Sequence, residues 1–331
     1  MKIAFFEVEN WEERFLKKCF PRAVFYSSKL TLTKIKKIKK AEIISVFIYS
    51  KIDEKKLENL PNLKFIATRS TGFDHIDIEL CKKRGIKVAN VPTYGENTVA
   101  EHAFALILAL SRKIIPSIER TRMADFNLNG LRGFDLKNKT IGVVGTGNIG
   151  SHVCRIAYGF NMRILAYDLN INKDLEKKYN VCYQKTLPML FAHSDIVTLH
   201  LPLNEHTYHI VNRQMLEHAK KGLYLINTAR GGLVDTEALV WALDKGILKG
   251  AGIDVLEEEP LIQEERELLH KNIELSALRN VLADQILLRH PKVIVTPHNA
   301  FNSEEALLRI LNTTISNIRN FKKGYPRNLV A

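Results

Sequence analysis

Cysteine is scarce in this chain: Cys19, Cys81, Cys154 and Cys182 are the only four among 331 residues, and no two form a CxxC pair. That scatter excludes a disulfide framework and zinc-ligand spacing, so reduced, mostly buried thiols and no metal are expected. Cys154 falls within a helical stretch and reads as a small apolar filler rather than a nucleophile. No apolar run approaches the ~20 residues needed to cross a bilayer. The start, Met1 to Glu7, turns acidic too soon for a secretory signal and reads as a strand. A cytoplasmic protein without a membrane partner is expected. Internal repeats and low-complexity linkers are also missing, and the likeliest long loop is 127–139, with Gly130 and Gly133.

Charge of one sign is plentiful. Lys and Arg number 49 against 36 Asp and Glu, a formal net charge of +13. The densest run, Lys34 to Lys40, spaces Ile35 and Ile38 three apart, which predicts a short amphipathic helix with lysines outward. No aromatic or glycine pattern accompanies it, so a solvated face is expected and not a nucleic-acid stripe. The positive field suits anionic small molecules.

At this length two domains are expected. Short apolar strands are predicted at 2–6, 23–26, 43–49, 64–68 and 87–90, alternating with helical stretches, which implies a parallel sheet covered on both faces. A long apolar helix follows over 97–112, suited to a bridge between domains or a subunit contact. A second alternating series begins at Lys139, with six strands at 140–144, 163–167, 196–199, 224–227, 251–255 and 293–296. That number fits a doubly wound dinucleotide-binding sheet. A last helix is predicted from Ser303 to Lys322, opened by Ser303-Glu304-Glu305. Alone it cannot bury its apolar face, so it is expected to return to the first domain.

The first chemical constellation is Val143-Val144-Gly145-Thr146-Gly147-Asn148-Ile149-Gly150. A lone GxGxxG is a weak signal, but this one ends a strand and opens a helix, as the motif requires. Gly145 permits the turn, Gly147 the close approach of a pyrophosphate, and Gly150 the packing of helix on strand. The helix N-terminus adds free N–H groups and a positive dipole end. Asp168 ends the next strand 18 residues on, where a carboxylate grips ribose hydroxyls and repels a 2′-phosphate. With no arginine directly after it, NAD is favoured over NADP.

The second constellation lies at later strand ends: Asn227 to Gly232, Asp254 with Glu257-Glu258-Glu259-Pro260, and Thr296-Pro297-His298. An arginine holds a carboxylate with two parallel bonds and polarises an adjacent ketone. A histidine delivers the proton as hydride arrives, and a neighbouring carboxylate keeps the imidazole charged. Each alone is better explained as surface or ordinary structure. Three at successive strand ends, after a dinucleotide fingerprint, point to a site.

With Arg69 to Asp77, Asn90 to Tyr94 and Val99 to His102, these motifs resemble the D-isomer-specific 2-hydroxyacid dehydrogenase family across nearly the whole chain, its bacterial D-lactate branch most closely. The resemblance implies two doubly wound parallel-sheet α/β domains with a hinged cleft between them. A flavodoxin-like substrate domain spans 1–97 and 300–331, and a Rossmann NAD-binding domain spans 98–299. It implies Arg230, Glu259 and His298 as catalytic residues. Substrate contacts are implied at Thr71, Gly72, Tyr94, Arg230, His298 and Phe301, whose ring would wall a methyl pocket. Asn148, Ile149, Asp168, Leu201, Pro202, Thr207, Thr228, Ala229 and Asp254, with the three motif glycines, match positions that touch NAD. The usual assembly is a homodimer through the cofactor domain. The interval from Glu259 to His298 is long, filled by a helical stretch over 264–288, as in the lactate branch. The implied reaction is interconversion of pyruvate and D-lactate. A hydroxypyruvate or glycerate enzyme is the alternative, and a non-catalytic NAD-sensing scaffold a more distant one. His102, His200 and His206 are expected to be structural or surface residues.

Overall fold

A computed structural model describes the backbone of residues 1–257 and 275–331, with side chains in the second stretch from residue 279 onward. Two compact units emerge, one of Met1–Gly95 with Asn302–Ala331 and one of Glu96–Phe301.

In the first unit, β1 (Ile3–Phe5), β2 (Val24–Phe25), β3 (Ile43–Val46), β4 (Phe65–Thr68) and β5 (Lys87–Ala89) form a parallel sheet in the order β2-β1-β3-β4-β5. Between them run α1 (Asn10–Cys19), α2 (Leu32–Ile35), α3 (Glu54–Glu58) and α4 (Ile78–Lys83). Strand side chains alternate between two apolar layers. Ala4 and Phe6 face one, with Ile44 and Ile66, while Ile3 and Phe5 face the other. The second layer is completed by α13 (Glu304–Lys322), through Leu311, Ile315 and Ile318. Phe321 stacks on Phe65 at 4.3 Å between ring centroids. Ser303 caps α13, its hydroxyl accepting from the Ala306 N–H at 3.2 Å.

The lysine-rich run departs from expectation. The helix stops at Ile35, and the chain descends through successive i→i+3 bonds (Lys37 to Lys34, Ile38 to Ile35, Ala41 to Ile38). Ile35 and Ile38 are buried as their spacing predicts, but three-residue turns meet that spacing as well as a helix does.

The second unit opens with α5 (Glu96–Ser111) and α6 (Ile114–Arg122). Its strands are β6 (Thr140–Val144), β7 (Arg163–Tyr167), β8 (Cys182–Tyr183), β9 (Ile196–Leu199), β10 (Leu223–Asn227), β11 (Leu248–Ile253) and β12 (Val293–Val295). They form a parallel sheet ordered β12-β11-β10-β9-β6-β7-β8. Seven strands replace the six predicted, because β8 is a two-residue edge strand, too short to carry a period. The helices α7 (Asn148–Gly159), α8 (Lys173–Tyr179), α9 (Leu187–His193), α10 (Arg213–Glu217), α11 (Thr236–Asp244) and α12 (Leu275–Arg289) belong to this unit. One layer packs α5 and α7 on the sheet, through Ala103, Ile107 and Ala157. The other packs α9, α10 and α11, through Phe191, Leu216 and Leu239. Cys154 lies in the first layer, where burial pushes its thiol up to about 12, so it is an inert filler.

Candidate active site

Both sheets are parallel, so all strands of one sheet deliver their following loops to the same edge. Strand order in the second unit reverses between β6 and β9, the switch point at which open α/β sheets bind ligands. The loops at that edge carry Gly145 (after β6), Asp168 (β7), Leu201 and Pro202 (β9), Thr228 to Arg230 (β10), Asp254 (β11) and His298 (β12).

The glycine turn meets its steric requirements. Gly145 has φ +90°, and a Cβ there would lie 2.6 Å from the His200 carbonyl oxygen. A Cβ on Gly150 would lie 1.9 Å from the Gly145 oxygen, so neither position admits a side chain. Gly147 differs: a Cβ there would meet nothing within 4 Å. It would instead fill the open face before the α7 N-terminus, whose first turn carries no acidic residue and whose cap, Gly147, supplies no side chain. A cleft of about 610 Å³ adjoins this turn, lined by Thr146, Gly147, Asp168 and Asn170. The Asp168 carboxylate is anchored by the Thr146 N–H at 2.6 Å, the Thr146 hydroxyl at 3.0 Å and the Asn170 N–H at 2.9 Å. On the loop after β10, the buried Thr228 hydroxyl has no hydrogen-bond partner among the described residues. An open anion cradle, a fixed carboxylate and an orphaned hydroxyl fit a dinucleotide.

Thr207 braces its own loop, donating to the Pro202 carbonyl at 2.7 Å and accepting from the Asn204 N–H at 2.8 Å. Leu201 packs against the Gly145 turn. His200 is half-buried, its Nε2 2.9 Å from the Thr198 hydroxyl, and desolvation of the ring drives its pKa down to about 3. It is therefore a neutral structural residue.

Arg230 stands before a 3₁₀ turn, Gly231–Leu233. Asn227 shapes the approach, its side chain accepting from the Ala229 N–H at 3.1 Å and donating to the Arg230 carbonyl at 2.8 Å. Gly231 is obligatory, since a Cβ would lie 2.2 Å from the Leu256 carbonyl oxygen.

His298 occupies a left-handed conformation, φ 52°. Its N–H donates to the Asp254 and Thr296 carbonyls, both at 2.9 Å. The Asp254 side chain does the rest. Its carboxylate accepts from the Thr296 hydroxyl at 2.5 Å and from the N–H groups of Asn299 and Ala300, both at 2.8 Å. His102, on α5, reaches both Thr296 (3.0 Å) and Asp254 (3.4 Å). Burial raises the Asp254 pKa, but these donors outweigh it and hold the carboxyl below its ordinary value. Asp254 thus serves as the ionised hub of the loop bearing His298, and His102 belongs to that hub. Phe301 sets its ring edge-on to His298, with centroids 6.3 Å apart. Glu259 lies outside the described residues. Among the described residues no group of three His, Cys, Asp or Glu side chains is placed to hold a metal. No described helix is long and apolar enough to cross a membrane.

In the first unit, Thr71, Gly72 and Tyr94 follow β4 and β5 at the carboxyl edge. The Thr71 hydroxyl donates to the Val91 carbonyl at 2.7 Å, and Asn90 donates to the Thr71 carbonyl at 2.8 Å. Ser70 donates to the Gly72 carbonyl at 2.6 Å, and Arg309 donates to that of Tyr94. Beneath the loop Arg69 is fully buried, bonded to the Phe6 and Glu7 carbonyls at 2.8 and 2.6 Å, with Glu12 3.7 Å away.

At the carboxyl edge of the second unit Glu257 pairs with His209 at 2.6 Å although 48 positions separate them; Glu257 stood in the acidic run after Asp254, but His209 carried no signal in the sequence.

Residues 104–300 match the family model of the D-isomer specific 2-hydroxyacid dehydrogenase, NAD binding domain. The chain is 38% identical to 2-hydroxyacid dehydrogenase homolog 1 of Schizosaccharomyces pombe, covering 97% of this chain and 96% of the relative. It is 34% identical to the D-lactate dehydrogenase of Escherichia coli, over the full length of both. The D-lactate dehydrogenase of Aquifex aeolicus, solved with NAD and lactic acid, superposes with a TM-score of 0.88 at 36% identity, covering 97% of this chain and 96% of that one.

Proposed function

Because the chain belongs to the D-isomer specific 2-hydroxyacid dehydrogenase family and carries its NAD-binding domain, we propose that it interconverts pyruvate and D-lactate in the cytoplasm. The observation that carries this reading is the placement of Arg230 and His298 on the loops after β10 and β12, with the Asp254 hub after β11 between them.

NAD(H) when bound supplies or accepts the hydride at C2 of the substrate. The Arg230 guanidinium clamps the substrate carboxylate in its planar fork and polarises the ketone. His298 gives its proton to the ketone oxygen during reduction and takes it back during oxidation. Glu259 is the proposed carboxylate partner of that imidazole. Thr71, Gly72 and Tyr94 are proposed to meet the substrate carboxylate, and the Phe301 ring to face the methyl group. On the coenzyme, Asp168 is proposed to take the adenosine ribose and the glycine turn, with Asn148 and Ile149, the pyrophosphate. Leu201, Pro202, Thr207, Thr228 and Ala229 line the rest of its path. Asp254 acts there through the loop it holds.

Loss of NADH absorbance with pyruvate, hydroxypyruvate, glyoxylate and longer 2-keto acids tests the reading. The highest kcat/KM is expected with pyruvate; a preference for hydroxypyruvate would move the assignment to the glycerate type. Changing Glu259→Gln is expected to shift the alkaline limb of the reduction profile toward acid. Unmoved profiles in both directions would remove Glu259 from its role.

A homodimer is proposed through the arm that begins at α6. Ile114, Ile115 and Ile118 are exposed there, followed by Met123, Phe126 and Leu128, each more than 70% exposed. So many exposed apolar side chains within one short stretch suit burial against a second copy.

A further inference from the structure

We infer that the Glu257–His209 hydrogen bond locks the Arg230 turn and the 202–211 loop into one register. The inference rests on the dehydrogenase reading for the roles of Arg230 and Thr207.

Glu257 is a nearly buried carboxylate, its side chain 6% exposed, and none of the chemistry above uses it. Its Oε1 accepts from His209 Nε2 at 2.6 Å and from the Tyr208 hydroxyl at 3.2 Å, and its Oε2 accepts from Thr236 Oγ1 at 3.0 Å. A carboxyl group taken this far out of water persists only when its hydrogen-bonding capacity is satisfied. The pair holds three chain segments. His209 and Tyr208 belong to the loop that carries Thr207, and Thr236 opens α11. Glu257 itself leads toward Glu259 in sequence.

The backbone shows that these segments are in register. His209 N–H donates to the Gly232 carbonyl at 2.8 Å, and Val211 N–H donates to the Leu233 carbonyl at 3.0 Å, so the loop runs beside the Arg230 turn. On the turn's other side, the Leu256–Glu257 backbone presses so close to Gly231 that a Cβ would lie 2.6 Å from the Glu257 nitrogen. His209 adopts φ 49°, a conformation that β-carbon sterics disfavour, and its ring stacks on Tyr208 at 3.9 Å. The bond to Glu257 compensates that backbone cost and aims the imidazole inward. Glu257 and His209 are positioning residues: they set where Arg230 and Thr207 stand and touch no reacting atom.

The test compares Glu257→Gln, His209→Gln and the double variant as full-length protein. Each single change is expected to lower kcat/KM for pyruvate about 10- to 100-fold and to raise the NADH dissociation constant several-fold. The double variant should be no worse than the poorer single one, because one lock can be lost only once. Amide hydrogen exchange should quicken together in segments 203–211 and 230–235 of Glu257→Gln. Kinetics within twofold of the parent, multiplicative losses in the double variant, or loosening of only one segment would each overturn the inference. Exchange needs no turnover, so its outcome judges the lock, whereas a parent protein inert toward every 2-keto acid counts against the dehydrogenase reading alone.

Discussion

At the scale of single residues, Arg230 is proposed to recognise a ligand, whereas Asp254 holds a loop of the fold. Arg230 has its backbone braced by Asn227, so Arg230→Lys keeps the turn and the charge while losing the planar fork. A fall in kcat/KM of at least about a hundredfold, ~3 kcal/mol of transition-state stabilisation, is expected with NADH binding preserved. Near-normal pyruvate turnover would remove Arg230 from the site. Asp168→Ala should weaken NADH binding and narrow the preference over NADPH, since ribose bonding and phosphate repulsion leave together; an unchanged ratio assigns the ribose to another residue. Asp254 is a folding charge. Its folded pKa lies below the ordinary carboxylate value, so the stability it contributes is fully present above that ordinary value. That stability is lost as pH falls through the folded pKa. Asp254→Asn turns one of the two accepting oxygens into an NH2 donor facing the N–H of either Asn299 or Ala300, at an expected cost of about 2–3 kcal/mol. Urea titrations at neutral and acid pH should therefore show a large gap between parent and variant near pH 7 that closes on acidification.

At the scale of elements, the β6–α7 turn separates two demands on glycine that its sequence motif merges. Gly145 and Gly150 are required by the chain's own backbone, whereas a Cβ on Gly147 would meet no protein atom, and an incoming pyrophosphate is the proposed reason for glycine there. Gly145→Ala should lower the unfolding free energy by about 1–3 kcal/mol, from its positive φ and the contact with His200. Gly147→Ala should leave the melting temperature within a degree or two while raising the NADH dissociation constant at least about tenfold. Thermal melts set beside coenzyme titrations read both, and a Gly147→Ala protein that binds NADH normally would place the pyrophosphate elsewhere. This turn was legible from sequence because strand, glycine spacing and helix are contiguous. The lysine run was misread because Ile35 and Ile38 satisfy two local periods, and β8 was missed because its partner, not its own pattern, makes it a strand.

At the scale of the molecule, the first unit is assembled from both ends of the chain. Leu311, Ile315 and Ile318 fill one of its layers, each fully buried aliphatic side chain worth about 2 kcal/mol. The last residues bond the edge of β5, through Val88 with Val330 and Ala331. A chain truncated after Asn302 is therefore expected to lose protection throughout residues 1–95 in hydrogen exchange, while 96–301 keeps its own core. Protection retained in the first unit would show that its sheet stands without α13. The exposed arm makes a separate prediction: Ile118→Asp combined with Phe126→Asp should halve the mass measured by light scattering. A parent protein already monomeric at micromolar concentration would dispose of the dimer.

By itself the sequence determined the alternation of strands and helices, the glycine turn, the acidic residue after β7 and the order in which Arg230 and His298 follow their strands. Each is set by neighbours within one or two turns of chain, where backbone sterics and side-chain period act locally. Tertiary structure alone decided what the remaining charges do. Asp254, expected as a cofactor contact, is also the hub of the His298 loop, His102 joins that hub from a helix some 150 positions away, and Glu257 finds His209. Those pairings depend on which donors share a water-poor pocket with a carboxylate, and that is fixed only when distant strands bring their ends to one edge of a sheet.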